Sequence, residues 1–464
     1  MPDDLTALSA VELLDAYARR TLDPVEVTEA TLARIDRLEP GINAFVTITA
    51  ERARADARRA SQAWASGTAG PLCGVPYTLK DLAVTKGIPT GRGSLVWGVD
   101  DAGFDAPVAE RLAGAGGVLL GKTTTPEMGW KGDSGNRRNG PCHNPWRHGR
   151  TPGGSSGGTA AAAVAGYGPL HQGSDGAGSV RIPAGFCGAV GLKPTYGLVA
   201  QYPPSAVETV SHIGPITRTV ADTALMLDAM AGLDECDRTS VDPPCSSYLE
   251  ALRAPLGSLR IAFSPDLGFG VVEPGVAARV AEAVEVLRGL GHRVEEAELA
   301  LDDPWWIEET IWDSGMAALH VDRLDEVREL LDPGLVAVIE SGRKRSGVEV
   351  ARAYQARAAW VDRLRVALAG YDLLVCPTLP CVAFAAGDDH PGTVAGRAVT
   401  YLGWTTFTYP FNLSGGAALT VPCGFDDGLP VGLQIVGRRF ADELVLALGA
   451  AYESAVGPFS VPSL

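Results

Sequence analysis

The usual markers of metal-dependent, disulfide-stapled, membrane and nucleic-acid-binding proteins are missing from this chain. Its eight cysteines are scattered from Cys73 to Cys423 without a Cys-x-x-Cys pair. In 464 residues they read as reduced core thiols, not as a disulfide framework. The seven histidines show no His-x-x-x-His spacing, so no metal-ligand set is recognisable, and neither metal nor cofactor is expected. The longest mildly apolar run, Gly158 to Leu170, is rich in alanine and glycine and falls short of the ~20 residues of a membrane span. The opening Met-Pro-Asp-Asp-Leu-Thr has no basic n-region and no apolar h-region, so no secretory signal is read and a cytoplasmic protein is expected. Asn412-Leu-Ser, a glycosylation sequon, then has no relevance. Basic charge is in deficit: the net charge of −16 argues against nucleic acid or an anionic membrane as an obligate partner.

What is present suggests a large α/β protein. Hydrophobic residues make up 46% of the chain, enough for an extensive core. Ser9 with Glu12, and Asp23 with Pro24 and Glu26, have the spacing of N-terminal helix caps. With a polar helix over Glu51–Ala65 they make residues 1–70 mostly helical. From about residue 72 short apolar strands alternate with small-residue helices. Val75–Leu79, Val118–Leu120 and Leu170–Gly173 are strand candidates, and Val108–Ala115, Thr159–Ala165 and Val220–Ala231 helix candidates. A Pro/Ser/Asp-rich connection follows over residues 235–257. A second stretch then offers strands at Leu259–Phe263, Arg293–Val294, Asp372–Cys376 and Gly432–Val436. Its helices fall at Val276–Leu287, Pro304–Leu319, Val348–Leu368 and Ala441–Ser454. The alternation predicts an α/β sheet layered by helices.

Two glycine motifs mislead. Gly116-Gly-Val-Leu-Leu-Gly121-Lys122-Thr123 fits the phosphate-loop pattern, but a helix precedes it, Val118-Leu-Leu is itself the strand, and Thr123-Thr-Thr-Pro126 is a poor helix start. Gly153-Gly-Ser155-Ser-Gly157 fits the nucleophile elbow of α/β-hydrolases. That elbow needs a strand before it, and His148-Gly-Arg-Thr-Pro152 is not one; Asp242 with His320 or His390 could complete a triad, but nothing local marks them. Taken singly, Lys80 reads as a surface lysine, the Gly153–Gly158 run as a linker, and Ser179 as a loop serine.

Together they read differently. Gly-Val-Pro-Tyr-Thr-Leu-Lys80-Asp, Thr-Pro-Gly-Gly-Ser155-Ser-Gly-Gly and Gly-Ser-Asp-Gly-Ala-Gly-Ser179-Val-Arg-Ile-Pro-Ala resemble, in order and spacing, the three segments of the amidase signature family. The resemblance spans roughly Leu72 to the end, strongest over residues 80–232 and 411–440. It implies one α/β/α sandwich around a large mixed sheet, and a single domain over 1–464: N-terminal helices (1–70), a signature core (72–232), and a second half completing the sheet (258–464). It implies Ser179 as nucleophile, Ser155 as proton relay and Lys80 as base. It also implies a cis Gly154–Ser155 bond and an oxyanion hole of backbone N–H groups from Gly176, Ala177, Gly178 and Ser179. An ordinary lysine, with pKa ~10.4, would be protonated and useless as a base. The apolar strand before Lys80 is a setting that would lower it. Where the family commonly has Asp-Thr-Gly-Gly-Ser, this chain has Asp175-Gly176-Ala177-Gly178-Ser179, which frees space at Gly176. An ion pair between Asp175 and Arg181 would brace the loop.

The expected reaction is hydrolysis of non-peptide C–N bonds in small apolar or aryl amides, extending to esters and carbamates (urethanes), by a monomer or homodimer. Met128, Trp130 and Ser156 are the substrate-contact candidates. The resemblance places the pocket walls in segments that vary across the family, here Trp130–His148, Tyr202–His212 and Trp305–Leu319; these also carry Trp146, Trp305, Trp306 and Trp312, each equally at home in a core. One alternative within the fold is the glutaminase component of glutamyl-tRNA amidotransferase, its A subunit. Against it, Gln201–Ile213 lacks the Ser-Ser-Leu-Asp-Gln sequence associated with that component. An α/β-hydrolase-type esterase and a non-catalytic binding protein are the remaining alternatives.

Overall fold

The computed structural model describes residues 4–98, 101–320 and 322–464; the Met-Pro-Asp that begins the N-terminal reading lies outside them. Both capping boxes form, Ser9 with Glu12 and Asp23 with Glu26. They start the helices Ala10–Ala18 and Pro24–Ile42.

The strands are β1 (Phe45–Ile48), β2 (Pro76–Lys80), β3 (Val118–Thr123), β4 (Leu170–Asp175), β5 (Val190–Lys193), β6 (His212–Thr217), β7 (Arg260–Phe263), β8 (Arg293–Glu296), β9 (Leu373–Pro377), a two-residue ribbon β10 (Thr393–Val394) and β11 (Arg397–Ala398), then β12 (Ala418–Asp426) and β13 (Leu429–Val436). All but the ribbon join one 11-stranded sheet in the order β1-β3-β2-β4-β6-β5-β12-β13-β9-β7-β8. The order β3-β2-β4 is parallel, as is β9-β7-β8. The strands between are antiparallel, so the sheet is mixed, as expected.

Neighbouring residues on a strand face opposite sides, and both sides are covered. Leu119, Leu373, Val375, Leu433 and Ile435 enter one core with helices Val220–Met230, Pro274–Gly289 and Asp442–Val456. Val118 and Leu120 meet the opposite layer, where helix Gly157–Ala165 lies. Leu374 and Cys376 join helices Trp305–His320 and Gly347–Ala367 on that same side. Helix Gly157–Ala165 is buried throughout. A Cβ on Gly158 would come within 2.5 Å of the Ala44 oxygen and the Thr124 nitrogen, so glycine there permits the close approach of the backbones.

The predicted strands and helices form within a few residues of their expected limits. Three central strands carry no strand-like pattern. β6 contains Gly214-Pro215, with Pro215 opposite Gln172 of β4, although proline cannot donate to a ladder. β12 runs through Pro422, where the register shifts. β5 has glycine and lysine among its four residues.

Candidate active site

In open α/β sheets, ligands bind beyond the carboxyl ends of parallel strands. Here β2, β3 and β4 run parallel and end together, delivering Lys80, the Thr123–Trp130 segment and the Ser174–Ser179 loop to one place. Lys80 is fully buried. Its backbone N–H is held by Gln172 Oε1 at 3.0 Å. Its ammonium nitrogen lies 2.6 Å from Ser155 Oγ and 3.1 Å from Ser174 Oγ. Burial lowers its pKa to about 7, against the opposing pull of the Asp175 charge. A neutral lysine at this position can accept a proton.

Ser155 follows a cis Gly154–Ser155 bond. Its loop is held from below by Ser134, whose hydroxyl donates to the Gly153 carbonyl at 2.9 Å and accepts from Gly157 N–H at 2.8 Å. Gly129, at φ +77°, presses on Ser155 from the other side; a Cβ there would come within 3.2 Å of Ser155 Oγ. Ser156, expected to touch substrate, does something else. It is buried, and its N–H donates to the Ser179 carbonyl at 3.2 Å. Its hydroxyl pairs with the backbone of Ser174 on both sides, at 3.2 and 3.3 Å. Ser156 therefore ties the Ser155 and Ser179 segments together and is not a pocket wall.

The loop carrying Ser179 is organised by Asp175. One carboxylate oxygen accepts from Gly178 N–H at 2.8 Å, the other from Val180 N–H at 3.1 Å. Arg181 closes the expected ion pair with bonds of 2.9 and 2.8 Å, both side chains fully buried. Burial alone would raise the Asp175 carboxyl, but Arg181 and Asn412 hold it well below the usual range. Among the four expected oxyanion donors, Gly178 is thus occupied by Asp175. The N–H groups of Gly176, Ala177 and Ser179 have no acceptor among the described residues. Gly178 sits at φ +129° with Thr408 where a Cβ would be. Gly176 does not open free space: Trp312 fills it, with its ring 2.9 Å from where a Cβ would stand.

Met128 and Trp130 join Ala177 and Trp312 in one cluster. Met128 is half-buried in a left-handed conformation, and Trp130 is buried against Tyr401 at 5.4 Å between ring centres. Trp305 stacks edge-on to Tyr409 in the same cluster, while Trp306 is exposed. Trp146 is elsewhere, bonded to the Cys187 carbonyl and packed on Phe425.

Both glycine decoys fail in three dimensions. Lys122 lies within β3, buried, its amine on the Ala83 carbonyl at 2.7 Å and on Thr90. Ser155 is preceded by turns, not by a strand. Asn412, expected to be an irrelevant sequon, is instead part of the site. It is fully buried; it donates to the Asp175 carbonyl and carboxylate at 2.9 and 2.8 Å and accepts from Arg181 at 2.6 Å. Gln434 and the Thr408 carbonyl take the other Arg181 bonds, at 2.8 and 2.9 Å. Ser174, Asn412, Thr408 and Gln434 complete the site. Ser174 lies inside the Ser179 motif; the others lie far downstream, Asn412 and Gln434 within the second stretch of strong resemblance, residues 411–440, but with no motif that marks them as partners of Arg181.

Among the described residues no group of three His, Cys, Asp or Glu side chains could hold a metal, and no helix is long and apolar enough to cross a membrane.

Comparison with known families matches residues 26–446 to the family described as Amidase. The chain is 42% identical to an acylamidase of Rhodococcus erythropolis, over 98% of this chain and 96% of that protein. It is 37% identical to the A subunit of the glutamyl-tRNA(Gln) amidotransferase of Methylococcus capsulatus, over 96% of each. The crystal structure of a bacterial aryl acylamidase of the amidase signature enzymes superposes with a TM-score of 0.90 at 30% identity, covering 97% of this chain and 96% of that one. The chain belongs to the amidase signature family of amide-cleaving hydrolases.

Proposed function

We propose that the protein is a stand-alone amidase that hydrolyses small apolar or aryl amides through an acyl-enzyme on Ser179. The observation that carries this reading is a buried lysine, depressed to about 7, at 2.6 Å from Ser155. In acylation, Ser179 Oγ attacks the carbonyl carbon as its proton passes to Ser155, whose own proton passes to Lys80. The oxyanion takes the free N–H groups of Gly176, Ala177 and Ser179; each such donor is worth ~3 kcal/mol in the transition state. The proton returns from Lys80 through Ser155 to the leaving nitrogen, and the C–N bond breaks. Water then repeats the sequence on the ester and restores Ser179. The carbonyl of an aryl ester or a carbamate fits the same path. A carbamate carbonyl, fed by two donor heteroatoms, leans hardest on the oxyanion donors.

Similarity to the Rhodococcus acylamidase over nearly the full chain supports an acyl amide substrate. Similarity to the amidotransferase component of Methylococcus supports a second reading, glutamine hydrolysis within a complex. The deciding experiment measures nitroaniline release from neutral acyl anilides by the purified protein, with an aryl carbamate alongside. Silence on all of these, with ammonia released from glutamine once partner proteins are added, would replace the first reading by the second.

A further inference from the structure

Buried polar atoms in native proteins nearly always have a partner, and each exception calls for a reason. Of the 20 buried side-chain atoms without a partner among the described residues, six belong to helix Trp305–His320: both oxygens of Glu308, Trp312 Nε1, Asp313 Oδ1, Ser314 Oγ and His320 Nε2. Trp130 Nε1 and the Tyr401 hydroxyl, on rings packed against each other, add two more. Two of these residues share a location. Trp312 covers Gly176 of the nucleophile loop, and Glu308, four residues earlier, lies on the same helix face.

Glu308 is the most demanding member. It is wholly buried and neither carboxyl oxygen is bonded. The charges that act on it are Arg357, Asp175 and Arg181. Arg357 is committed to the carbonyls of Leu413 and Thr209, and Arg181 to Asp175 and its neighbours. Burial pushes the Glu308 carboxyl up to about 8, so near neutrality it is mostly the uncharged acid, which both donates and accepts. An unmet group of this kind costs ~1–3 kcal/mol, a cost removed when a ligand supplies the complement.

We infer that Glu308 is a specificity-determining residue that pairs with an uncharged hydrogen-bonding group carried by the substrate, a second amide in the simplest case, beside the nucleophile loop. The preferred substrates are then amphiphilic amides: an apolar part for Trp130 and Trp312, and a neutral polar group for Glu308. This rests on the amidase reading above and narrows it.

The test uses two matched pairs of 4-nitroanilide-type substrates, differing only in a terminal carboxamide versus a methyl group. In one pair the change is in the acyl chain, in the other on the amine side, with products separated by chromatography. Wild-type enzyme is expected to prefer the carboxamide member of at least one pair by about tenfold or more in kcat/KM, the ratio that ~1.4 kcal/mol represents. Glu308→Leu should bring that ratio close to one, mainly through KM, and Glu308→Gln, neutral with a donor and an acceptor, should keep most of it. Uptake of a fluorophosphonate on Ser179 reports that each variant is folded. A wild-type ratio near one in both pairs, or a ratio that survives Glu308→Leu, overturns the assignment of Glu308 while leaving the amidase reading standing. Failure of wild-type enzyme on all four substrates would instead sink the amidase reading and this one with it.

Discussion

Replacing Lys80 by methionine is expected to remove activity and, at neutral pH, to stabilise the fold. In the folded protein burial lowers this lysine from 10.5 to about 7. That drop corresponds to about 5 kcal/mol of preference for the neutral form. The unfolded chain holds the proton up to about 10.5 and the folded chain only to about 7, so between these values the unfolded state binds more protons. Stability therefore rises with pH across that window. The penalty is fully present below pH 7 and is gone above about 10.5. Methionine carries no such penalty but forfeits the bonds to Ser155 and Ser174, about 1–3 kcal/mol together. A net gain of about 2–4 kcal/mol at pH 7 remains.

The assay is urea unfolding of wild type and Lys80→Met at several pH values from 6.5 to 10. The variant should be more stable at pH 7, and the gap should close and then reverse as pH rises toward 10, where the remaining penalty falls below the value of the lost bonds. A variant that is less stable at pH 7, or a gap that ignores pH, would refute the buried neutral lysine. Activity gives an independent reading. The neutral fraction rises roughly tenfold between pH 6 and pH 8 for a pKa of about 7, so kcat/KM of the wild type should climb by that factor. An ascending limb centred near 10 would show that Lys80 is not depressed.

Ser179→Ala should lose nearly all hydrolysis and all fluorophosphonate labelling while keeping its far-ultraviolet circular dichroism; a near-wild-type Ser179→Ala with an inactive Ser155→Ala would favour the elbow arrangement instead. Asp175→Asn leaves Arg181 buried without its counter-charge, a change that typically costs about 3–5 kcal/mol, so the urea midpoint should fall and activity with it; unchanged stability would show that the brace is dispensable. Gly176→Ala drives a methyl against Trp312, an overpacking of about 1–3 kcal/mol, and should lower kcat. Trp312→Leu in the same chain should recover part of that loss, and a double variant no better than the single one would place the damage elsewhere.

The parts of this site that can be read from sequence are the parts whose chemistry is local. Lys80 ends an apolar strand, and Ser155 and Ser179 sit in glycine loops where backbone must bend tightly, so each leaves a signature within a few residues. The sheet was legible for the same reason wherever strands are continuous apolar runs, as in β2 and β3, whose residues are all buried. β6 hid behind Gly214-Pro215, because a central strand that spends a donor on proline departs from the pattern used to recognise strands. The ion pair of the brace was legible, but its further partners hid for a different reason. Asn412, Gln434 and Thr408 meet Arg181 only because β13 and the short helix Tyr409–Ser414 fold back beside the Ser179 loop, and no motif around them names Arg181 as the partner. Trp312 and Gly176 show how the two kinds of information combine. The glycine is visible as a departure from the family's usual threonine, but the meaning of the departure is supplied by a tryptophan 136 residues later (312 minus 176), which takes the vacated volume. On the proposed mechanism, the loop sequence fixes which backbone N–H groups are offered to an oxyanion, while the side chain packed over that loop comes from a helix in the other half of the chain. Chemistry and specificity were therefore unequally legible: the first is written in contiguous motifs, the second in contacts that exist only after folding.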